Sequence, residues 1–342
     1  MRRFTVGCAY QARSNSRGLR PAADAPQSAA ALRYMPGRSG LRCARTDPDS
    51  RTGTVSGPPG HADTAESPEF QPPTIKFQKK GCLRTARRLR FTRMYQLGLA
   101  SVSFRALSPR EIITAVRRAG LSCIEWGSDV HAPCTDEAAL NEISALCRQE
   151  GIRCSSYGTY FRLGTDRTEA LLPYIRAAKR LGTDILRVWC GNRSFSEYTK
   201  EELPPFLQVC REAAELAAAH RVTLCMECHH HTFTDSPEGA LTLMHGVDSP
   251  AFRMYWQPNQ YCTEEENLRY AKAIAPYTKH LHVFHWDSLH RYPLREGLAQ
   301  WRRYLSAFSG DRTLLLEFMP DDLPESLPEE ASALRALSGE EL

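Results

Sequence analysis

Long apolar runs are missing from this sequence of 342 residues, and tryptophan is missing from one part of it. No run of 18 or more apolar residues occurs, which excludes a membrane-spanning helix. None of the five Trp residues lies within the first 93 residues, whereas nine of the 22 Pro and eight of the 21 Gly do. Because a protein core is built mainly from large apolar side chains, we expect a core only after residue 93.

Acidic residues are also scarce in the first 93 residues. This part contains 15 Arg and 3 Lys but only 4 Asp and 2 Glu, a net charge of +12, whereas the remaining 249 residues carry a net charge of −7. No apolar period of 3.6 or 2.0 residues persists there. We therefore predict that residues 1–93 form a disordered, basic extension rich in Arg, Pro and Gly. Residues 94–342 are predicted to form one folded domain.

Three explanations of the extension stay open from the sequence. It is a transit peptide, a nucleic-acid-binding arm, or upstream sequence included by a start codon chosen too early. Basic residues cluster only in RTARRLRFTR at 84–93, and the first twenty residues show no clear apolar face. Met94 stands directly before the first strand-like run, YQLGLAS, which favours the third explanation.

From Met94 onward, short apolar runs alternate with amphipathic segments of 10 to 20 residues. Capping boxes predict helix starts at Ser108, Thr199 and Thr263, and single glycines follow several of the helical patterns. Eight strand–helix repeats in about 250 residues predict an α/β fold, a (β/α)8 TIM barrel. No Gly-rich phosphate loop follows any strand, which disfavours an open doubly wound sheet. The strand candidates are 96–101, 122–126, 152–157, 184–189, 222–227, 252–256, 280–285 and 313–318.

Polar residues occur where the predicted strands end, and in this fold the carboxyl ends of the strands carry the active site. Glu227 and Glu317 each end an otherwise apolar strand, and burying a charge is costly unless a cation, a proton or a substrate compensates it. With His282 on an intervening strand, they offer the oxygen and imidazole ligands suited to Mn²⁺, Mg²⁺, Co²⁺ or Zn²⁺. The strand ends also carry Glu125, Asp129, His131, Arg187, His229, Gln257, Asn259 and His285.

The histidine and cysteine motifs near the fifth strand give weaker evidence for metal binding or redox chemistry. Three consecutive histidines cannot all bind one ion, and at most one or two of them face the mouth. We expect His229, two residues beyond Glu227, to do so, and His230 and His231 to be exposed to solvent. Cys225 and Cys228 form a single C-x-x-C away from any helix start, which disfavours zinc or redox chemistry. The other cysteines of the domain are scattered singly and are typical of buried thiols in a reducing cytosol, so we expect a cytoplasmic protein.

Residues 95–338 resemble the xylose isomerase-like TIM barrel superfamily, in particular its sugar phosphate isomerase and epimerase members. The resemblance implies a divalent metal held by Glu227, Gln257, His282 and Glu317. Gln257 stands where that superfamily commonly has Asp, and an amide oxygen binds a dication more weakly than a carboxylate. His282 and His285 have opposite parity on the strand, so only one of them should point into the barrel. Leu281 and Val283 suit the side that faces the helices, which favours His282 as the ligand. The resemblance rests on LSPREIITAVRRAGLSCIEWGSDVH, LRVWCG, ECHHHT, LHVFHWD and LLLEF.

The activity that the resemblance implies is a sugar or sugar phosphate isomerase or epimerase. A divalent metal cofactor of open identity would assist a 1,2-proton transfer through an enediolate, with Glu227 and Glu317 as the catalytic residues. We expect a small carbohydrate substrate and neither a nucleic acid nor a membrane as partner, and a homo-oligomer stays open. The predicted substrate-binding residues are Glu125, His131, Arg187, His229, Asn259 and His285, with Trp126, Trp189 and Trp256 as candidates to cover apolar sugar faces.

Two other classes of function compete with this prediction. A barrel that binds sugar without turnover, or one that dehydrates a keto-sugar or inosose, is kept open by the departure at Gln257. Apurinic endonucleases share the barrel but use about three zinc ions, with a longer set of His and acidic ligands. Here the third strand, IRCSSYG, supplies no His, and a domain with a net charge of −7 is a poor match for a phosphate backbone.

Overall fold

Eight parallel strands close into a barrel in the computed structural model, which describes residues 95–339. The predicted (β/α)8 fold is confirmed, while the prediction of a disordered extension lies outside the described residues. Around the barrel the strands follow the order β1-β10-β7-β6-β5-β4-β3-β2. They are β1 (Tyr95–Ala100), β2 (Cys123–Gly127), β3 (Arg153–Leu163), β4 (Ile185–Cys190), β5 (Thr223–Glu227), β6 (Phe252–Trp256), β7 (Thr278–Val283) and β10 (Arg312–Leu316).

A short antiparallel hairpin follows the seventh barrel strand. It pairs β8 (His285–Trp286) with β9 (Arg291–Tyr292), so β10 is the eighth strand of the barrel. Within residues 95–339 no helix is both long and apolar enough to cross a membrane. The helices are α1 (Pro109–Arg118), α2 (Glu137–Glu150), α3 (Leu171–Leu181), α4 (Leu203–Ala219), α5 (Pro237–Val247), α6 (Glu264–Ile274), α7 (Leu298–Ser306) and α8 (Leu327–Ser338).

Two of the three predicted capping boxes begin a helix. Ser108 caps α1 and Thr263 caps α6, each with a glutamate three residues later that accepts from the cap backbone N–H at 2.8 Å. The box at Thr199 also forms, but α4 begins four residues later. Because Pro204 and Pro205 have no N–H, the first helical bond comes only from Phe206 N–H to the Glu202 carbonyl.

Side chains that point out of the barrel pack against the helices and form the main core. Those that point inward are apolar at mid-barrel and polar near the carboxyl ends of the strands. At mid-barrel the interior is closed by a small cluster: Cys123, Cys225, Tyr255 and Leu315, all nearly inaccessible to solvent. Side chains two residues apart on a strand lie on the same face. The next inward positions are therefore Glu125, Glu227, Gln257 and Glu317, which places these polar groups above an apolar floor.

The third strand is longer than predicted and forms one wall of the mouth. We expected it to end at residue 157, but it continues to Leu163, and its register against β4 shifts between Gly158 and Arg162. The added segment carries the exposed Tyr160 above the ends of the neighbouring strands.

Candidate active site and metal centre

Three acidic or imidazole side chains meet at the carboxyl ends of β5, β7 and β10. Glu227, His282 and Glu317 each offer a ligand atom within 4.8 Å of the others, and all three side chains are buried. His282 Nδ1 lies 3.5 Å from Glu227 Oε1 and 3.3 Å from Glu317 Oε2. The sequence places these residues up to 90 positions apart, and the closed barrel brings them to one point.

Gln257 completes the group from the end of β6. Its Oε1 accepts a hydrogen bond from His282 Nδ1 at 2.8 Å, so the amide oxygen faces the same point as the two carboxylates. Two carboxylates, one imidazole nitrogen and one amide oxygen form a donor set that suits Mn²⁺, Mg²⁺, Co²⁺ or Zn²⁺. The residues that the barrel brings together therefore fit a divalent ion, and their role as its ligands stays a prediction.

Arg187, on β4, fixes one side of this cluster. Its Nε donates to Glu125 Oε1 at 2.8 Å, and its Nη1 donates to Glu227 Oε2. Trp189 Nε1 donates to the same Glu227 oxygen. Because two donors hold Oε2, only Oε1 of Glu227 faces His282.

Glu125, in the middle of β2, lies beneath this cluster of side chains and does not border the open cleft. Its side chain is 1% exposed, its Oε2 accepts from Ser156 Oγ at 3.0 Å, and its Oε1 lies 3.5 Å from His282 Nε2. This placement favours a role behind the cluster over direct contact with a substrate.

Electrostatic effects differ between the carboxylates of the cluster. Burial alone would raise the pKa of Glu227, but the charge of Arg187, followed by His282, outweighs it and lowers this pKa to about 2. For Glu317, burial and the Glu227 charge outweigh His282 and raise the pKa to about 7. Burial would lower the pKa of His282, but Glu317 and Glu125 raise it to about 10. The cluster therefore attracts positive charge, as a proton or as a cation.

The mouth of the barrel holds a cleft of about 160 Å³ above the cluster. His229 borders it, stacked on Trp189 at 4.7 Å between ring centroids and on His230 at 4.3 Å. His230, which we expected to be exposed to solvent, also borders the cleft. The other lining residues are Val102, Arg105, Tyr160, Arg187, Glu227, Gln257, Gln260, Trp286, Glu317 and Phe318.

Besides Glu125, three other predicted substrate-binding residues do not border this cleft. His131 is buried, with its Nδ1 3.1 Å from Ser101 Oγ, and lines a separate pocket beside α1 and α2, because the turn after β2 directs it away from the mouth. Asn259 organises the loop before α6: its Oδ1 accepts from Tyr261 N–H, and its backbone N–H donates to Asn267 Oδ1. His285 packs on Tyr292 across the hairpin.

Sequence reasoning missed several of the residues that shape the cleft. Arg105 follows a short 3₁₀ turn after β1, and Trp286 comes from the β8–β9 hairpin. Neither position ends a barrel strand, so a search restricted to strand ends does not find them. Among the candidate tryptophans, Trp189 borders the cleft, whereas Trp126 and Trp256 are fully buried.

A larger cavity, of about 430 Å³, opens at the other end of the barrel. It is lined by residues at the amino ends of the strands, including Tyr95, Arg153, Lys279 and His280. In this fold that end contributes to stability, while chemistry lies at the carboxyl ends. The candidate site is therefore assigned from the chemistry of its side chains and not from the volume of the cavity.

Gly158 on β3 makes room for the Glu125–Arg187 pair, which passes over this strand. A Cβ at this position would lie 2.6 Å from both Glu125 Oε1 and Arg187 Nη2. We expect Gly158→Ala to lower the free energy of unfolding by about 1–3 kcal/mol, because two buried charged groups must shift. Urea denaturation measures this loss. Arg153→Ala, at an exposed position of the same strand, serves as the control, and an equal loss in both variants would contradict the prediction.

Comparisons with known proteins agree with this architecture. The sequence profile of the xylose isomerase-like TIM barrel family matches residues 113–337. No curated protein matches the sequence. Among solved structures, the probable 3-DHS dehydratase AsbF from Bacillus anthracis is similar, with 18% identity and a TM-score of 0.58 over 70% of this chain and 98% of that one.

Two further structures share the fold. An L-ribulose 3-epimerase has 14% identity and a TM-score of 0.55, over 72% of this chain and 94% of that one. A xylose isomerase-like TIM barrel protein from Mycobacterium smegmatis, solved in complex with magnesium, has 13% identity and a TM-score of 0.54, over 72% of this chain and 97% of that one. At these identities the likeness shows the fold and leaves the reaction to be argued from the site.

Proposed function

Because the chain belongs to the xylose isomerase-like TIM barrel family, we propose that it is a metal-dependent sugar isomerase or epimerase. Its reaction is a proton transfer at the carbon beside a carbonyl group of a small polyhydroxylated substrate. The observation that carries the proposal is the convergence of Glu227, Gln257, His282 and Glu317 beneath an open cleft. The similar structures include a magnesium complex and an epimerase, and both support this proposal.

Four side chains would hold the metal: Glu227 through Oε1, Gln257 through its amide oxygen, His282 through Nδ1, and Glu317. When bound there, a divalent ion supplies a positive charge that polarises a substrate carbonyl and its neighbouring hydroxyl. The departure from Asp at Gln257 reduces the negative charge of the ligand set, which lowers metal affinity but leaves the number of ligands unchanged.

Glu317 is the carboxylate best suited to take a proton from the substrate. Within residues 95–339 its only ionic contact is with His282, and it borders the cleft. Glu227 also borders the cleft, but Arg187 and Trp189 hold its Oε2. Glu227 can therefore take part in the proton transfer only through Oε1, the same oxygen that faces the proposed metal site.

The walls of the cleft explain how a sugar is held. Trp189, Trp286 and Phe318 give the cleft apolar walls that exclude water. His229 and Arg162 lie over the ring of Trp189, and Phe284 and Arg291 lie over that of Trp286, so these two indoles present ring edges to a sugar. Arg105 and His229 offer hydrogen-bonding groups for hydroxyls or a terminal anion. Arg105 is held in place by Asp129 at 2.9 Å and Tyr160 at 2.7 Å.

A second candidate function is the dehydration of a keto-sugar or a related ring ketone. The two carboxylates are unequal, since one oxygen of Glu227 is held by two donors while Glu317 is not held by any arginine. A single free base suits removal of a proton followed by loss of a neighbouring hydroxyl. The similarity to a probable dehydratase points in the same direction.

An apurinic endonuclease activity is disfavoured by the ligand count. Among residues 95–339, only one group of His, Cys, Asp or Glu side chains lies close enough together to hold a metal ion. A cluster of three zinc ions requires more ligands than this group supplies.

Metal removal tests the proposal directly. The full chain is incubated in D₂O with a panel of ketoses, aldoses and inositol ketones, after chelator treatment and again after addition of Mn²⁺. We expect deuterium at the carbon beside the carbonyl only in the Mn²⁺ sample, with loss of exchange of about 10²-fold or more on chelation.

The products distinguish the two candidate reactions. A sugar isomer carrying deuterium supports the isomerase or epimerase, whereas a product that has lost water supports the dehydratase. Failure to exchange deuterium into any member of the panel, with Mn²⁺ present, would contradict both.

A further inference from the structure

The ring of His282 presents its two nitrogens to different groups. Nδ1 faces the amide oxygen of Gln257 at 2.8 Å and carboxylate oxygens of Glu227 and Glu317 within 3.5 Å, so it is the nitrogen on the metal side. Nε2 faces the other way and is buried, with no hydrogen-bond partner within the described residues. The charged group that faces it is Glu125, whose Oε1 lies 3.5 Å away. A buried imidazole nitrogen is therefore directed at a buried carboxylate.

Glu125 is held in this position by side chains of the next two strands of the barrel, β3 and β4. Ser156 Oγ, on β3, donates to its Oε2 at 3.0 Å, and Tyr255 OH lies 3.2 Å from the same serine hydroxyl. Arg187, on β4, donates to its Oε1 at 2.8 Å. The carboxylate therefore cannot rotate away from the ring without losing two hydrogen bonds.

The contact between Glu125 and His282 crosses the interior of the barrel. β1 and β10 lie between their two strands, so no main-chain pairing links them. Glu125 also contacts Arg187, which in turn holds Glu227. One carboxylate outside the proposed ligand set thus contacts both a ligand and the arginine that fixes another ligand.

We propose that Glu125 is a positioning residue, which accepts the Nε2 proton of His282 and so leaves the Nδ1 lone pair available to a divalent metal ion. Metal-binding histidines commonly donate their second ring nitrogen to a carboxylate, which fixes the tautomer and the ring orientation. This inference rests on the proposed function, since it takes Glu227, Gln257, His282 and Glu317 as the metal site. It assigns to Glu125 a role that substrate binding does not require.

The test measures Mn²⁺ binding to the chelator-treated full chain, with the free ion followed by electron paramagnetic resonance. Mn²⁺ is chosen because it prefers oxygen and imidazole ligands to the thiols of this chain. We expect Glu125→Gln to raise the Kd for Mn²⁺ by about 10- to 100-fold. Glu215→Gln, at an exposed position of α4, serves as the matched control and leaves the Kd unchanged.

A double-mutant cycle separates a positioning role from a merely structural one. If Glu125 acts through His282, then Glu125→Gln weakens Mn²⁺ binding by less than about threefold once His282→Asn is present. Equal weakening in both backgrounds overturns the inference, because a general disturbance of the fold does not depend on His282. Should Glu125→Gln fail to fold, Ser156→Ala, which removes one of the two donors that hold Glu125, takes its place in the same cycle.

The outcomes also separate this inference from the proposed function. If the wild-type chain binds Mn²⁺ and the Kd of Glu125→Gln differs from it by less than about threefold, the positioning role is wrong but the proposed metal site is not contradicted. If the wild-type chain binds no Mn²⁺, both are wrong.

Discussion

Glu317→Gln is expected to reduce deuterium exchange at the substrate carbon by about 10²- to 10⁴-fold, the range that a general base contributes. The amide occupies the same volume but cannot accept the proton, and it is also a weaker metal ligand. Exchange is measured in D₂O with saturating Mn²⁺, so that loss of the base is observed apart from weaker metal binding.

The fold should tolerate this change. The pKa of Glu317 is raised to about 7, chiefly by burial, so the folded metal-free protein favours an uncharged side chain at this position. A raised carboxylate pKa means that ionisation costs stability as the pH rises from about 4.5 to above 7, and the amide avoids this cost. We expect the metal-free variant to melt no lower than the wild type at pH 8. Wild-type exchange rates in Glu317→Gln would exclude Glu317 as the base, and Glu215→Gln is the control.

Arg187→Met is expected to lower the free energy of unfolding by about 3–5 kcal/mol, the cost of leaving buried charges without their partner. Arg187 is 4% exposed and contacts both Glu125 and Glu227, so its removal leaves these two buried carboxylates with His282 as the cationic partner they share. Urea denaturation at pH 7 measures the loss. Arg118→Met, at an exposed position of α1, is the control and should change stability by less than about 0.5 kcal/mol.

The dependence of this loss on pH and on Glu125 distinguishes it from a simple packing defect. Against the effect of burial, Arg187 keeps the pKa values of Glu125 and Glu227 below their usual range. The stabilisation is complete above about pH 4.5 and is lost as the pH falls toward 2, so the difference between wild type and Arg187→Met should shrink over that interval. Adding Glu125→Gln should cost less than the sum of the two single changes. A loss independent of pH between 5 and 2 would show that packing, not charge, is responsible.

The sequence alone predicted the barrel because each of its strand–helix repeats carries a local pattern. Apolar runs, capping boxes at Ser108 and Thr263, and glycines at helix ends all act over a few residues. Glu227, Gln257, His282 and Glu317 were placed together because strand ends share one face of this fold. Their roles as ligands and bases stay predictions until metal binding and exchange are measured, as do the cytoplasmic location and the oligomeric state.

Other parts of the site depend on contacts that no local pattern encodes. A search for polar residues at strand ends selects His131 and Glu227 equally as site residues. The turn after β2, however, directs His131 into a different pocket. The partners of Glu125 come from β3, β4 and β7, and their distances follow only from closure of the ring. Gly158 shows one indirect signal: a glycine inside a strand indicates that another group approaches closely.

The apolar floor formed by Cys123, Cys225, Tyr255 and Leu315 closes the barrel below the cluster. Under the proposed function, a sugar in the cleft would cover an ion held beneath it, so both would enter through the opening at the mouth. We therefore expect ordered binding, with the ion first and the sugar second.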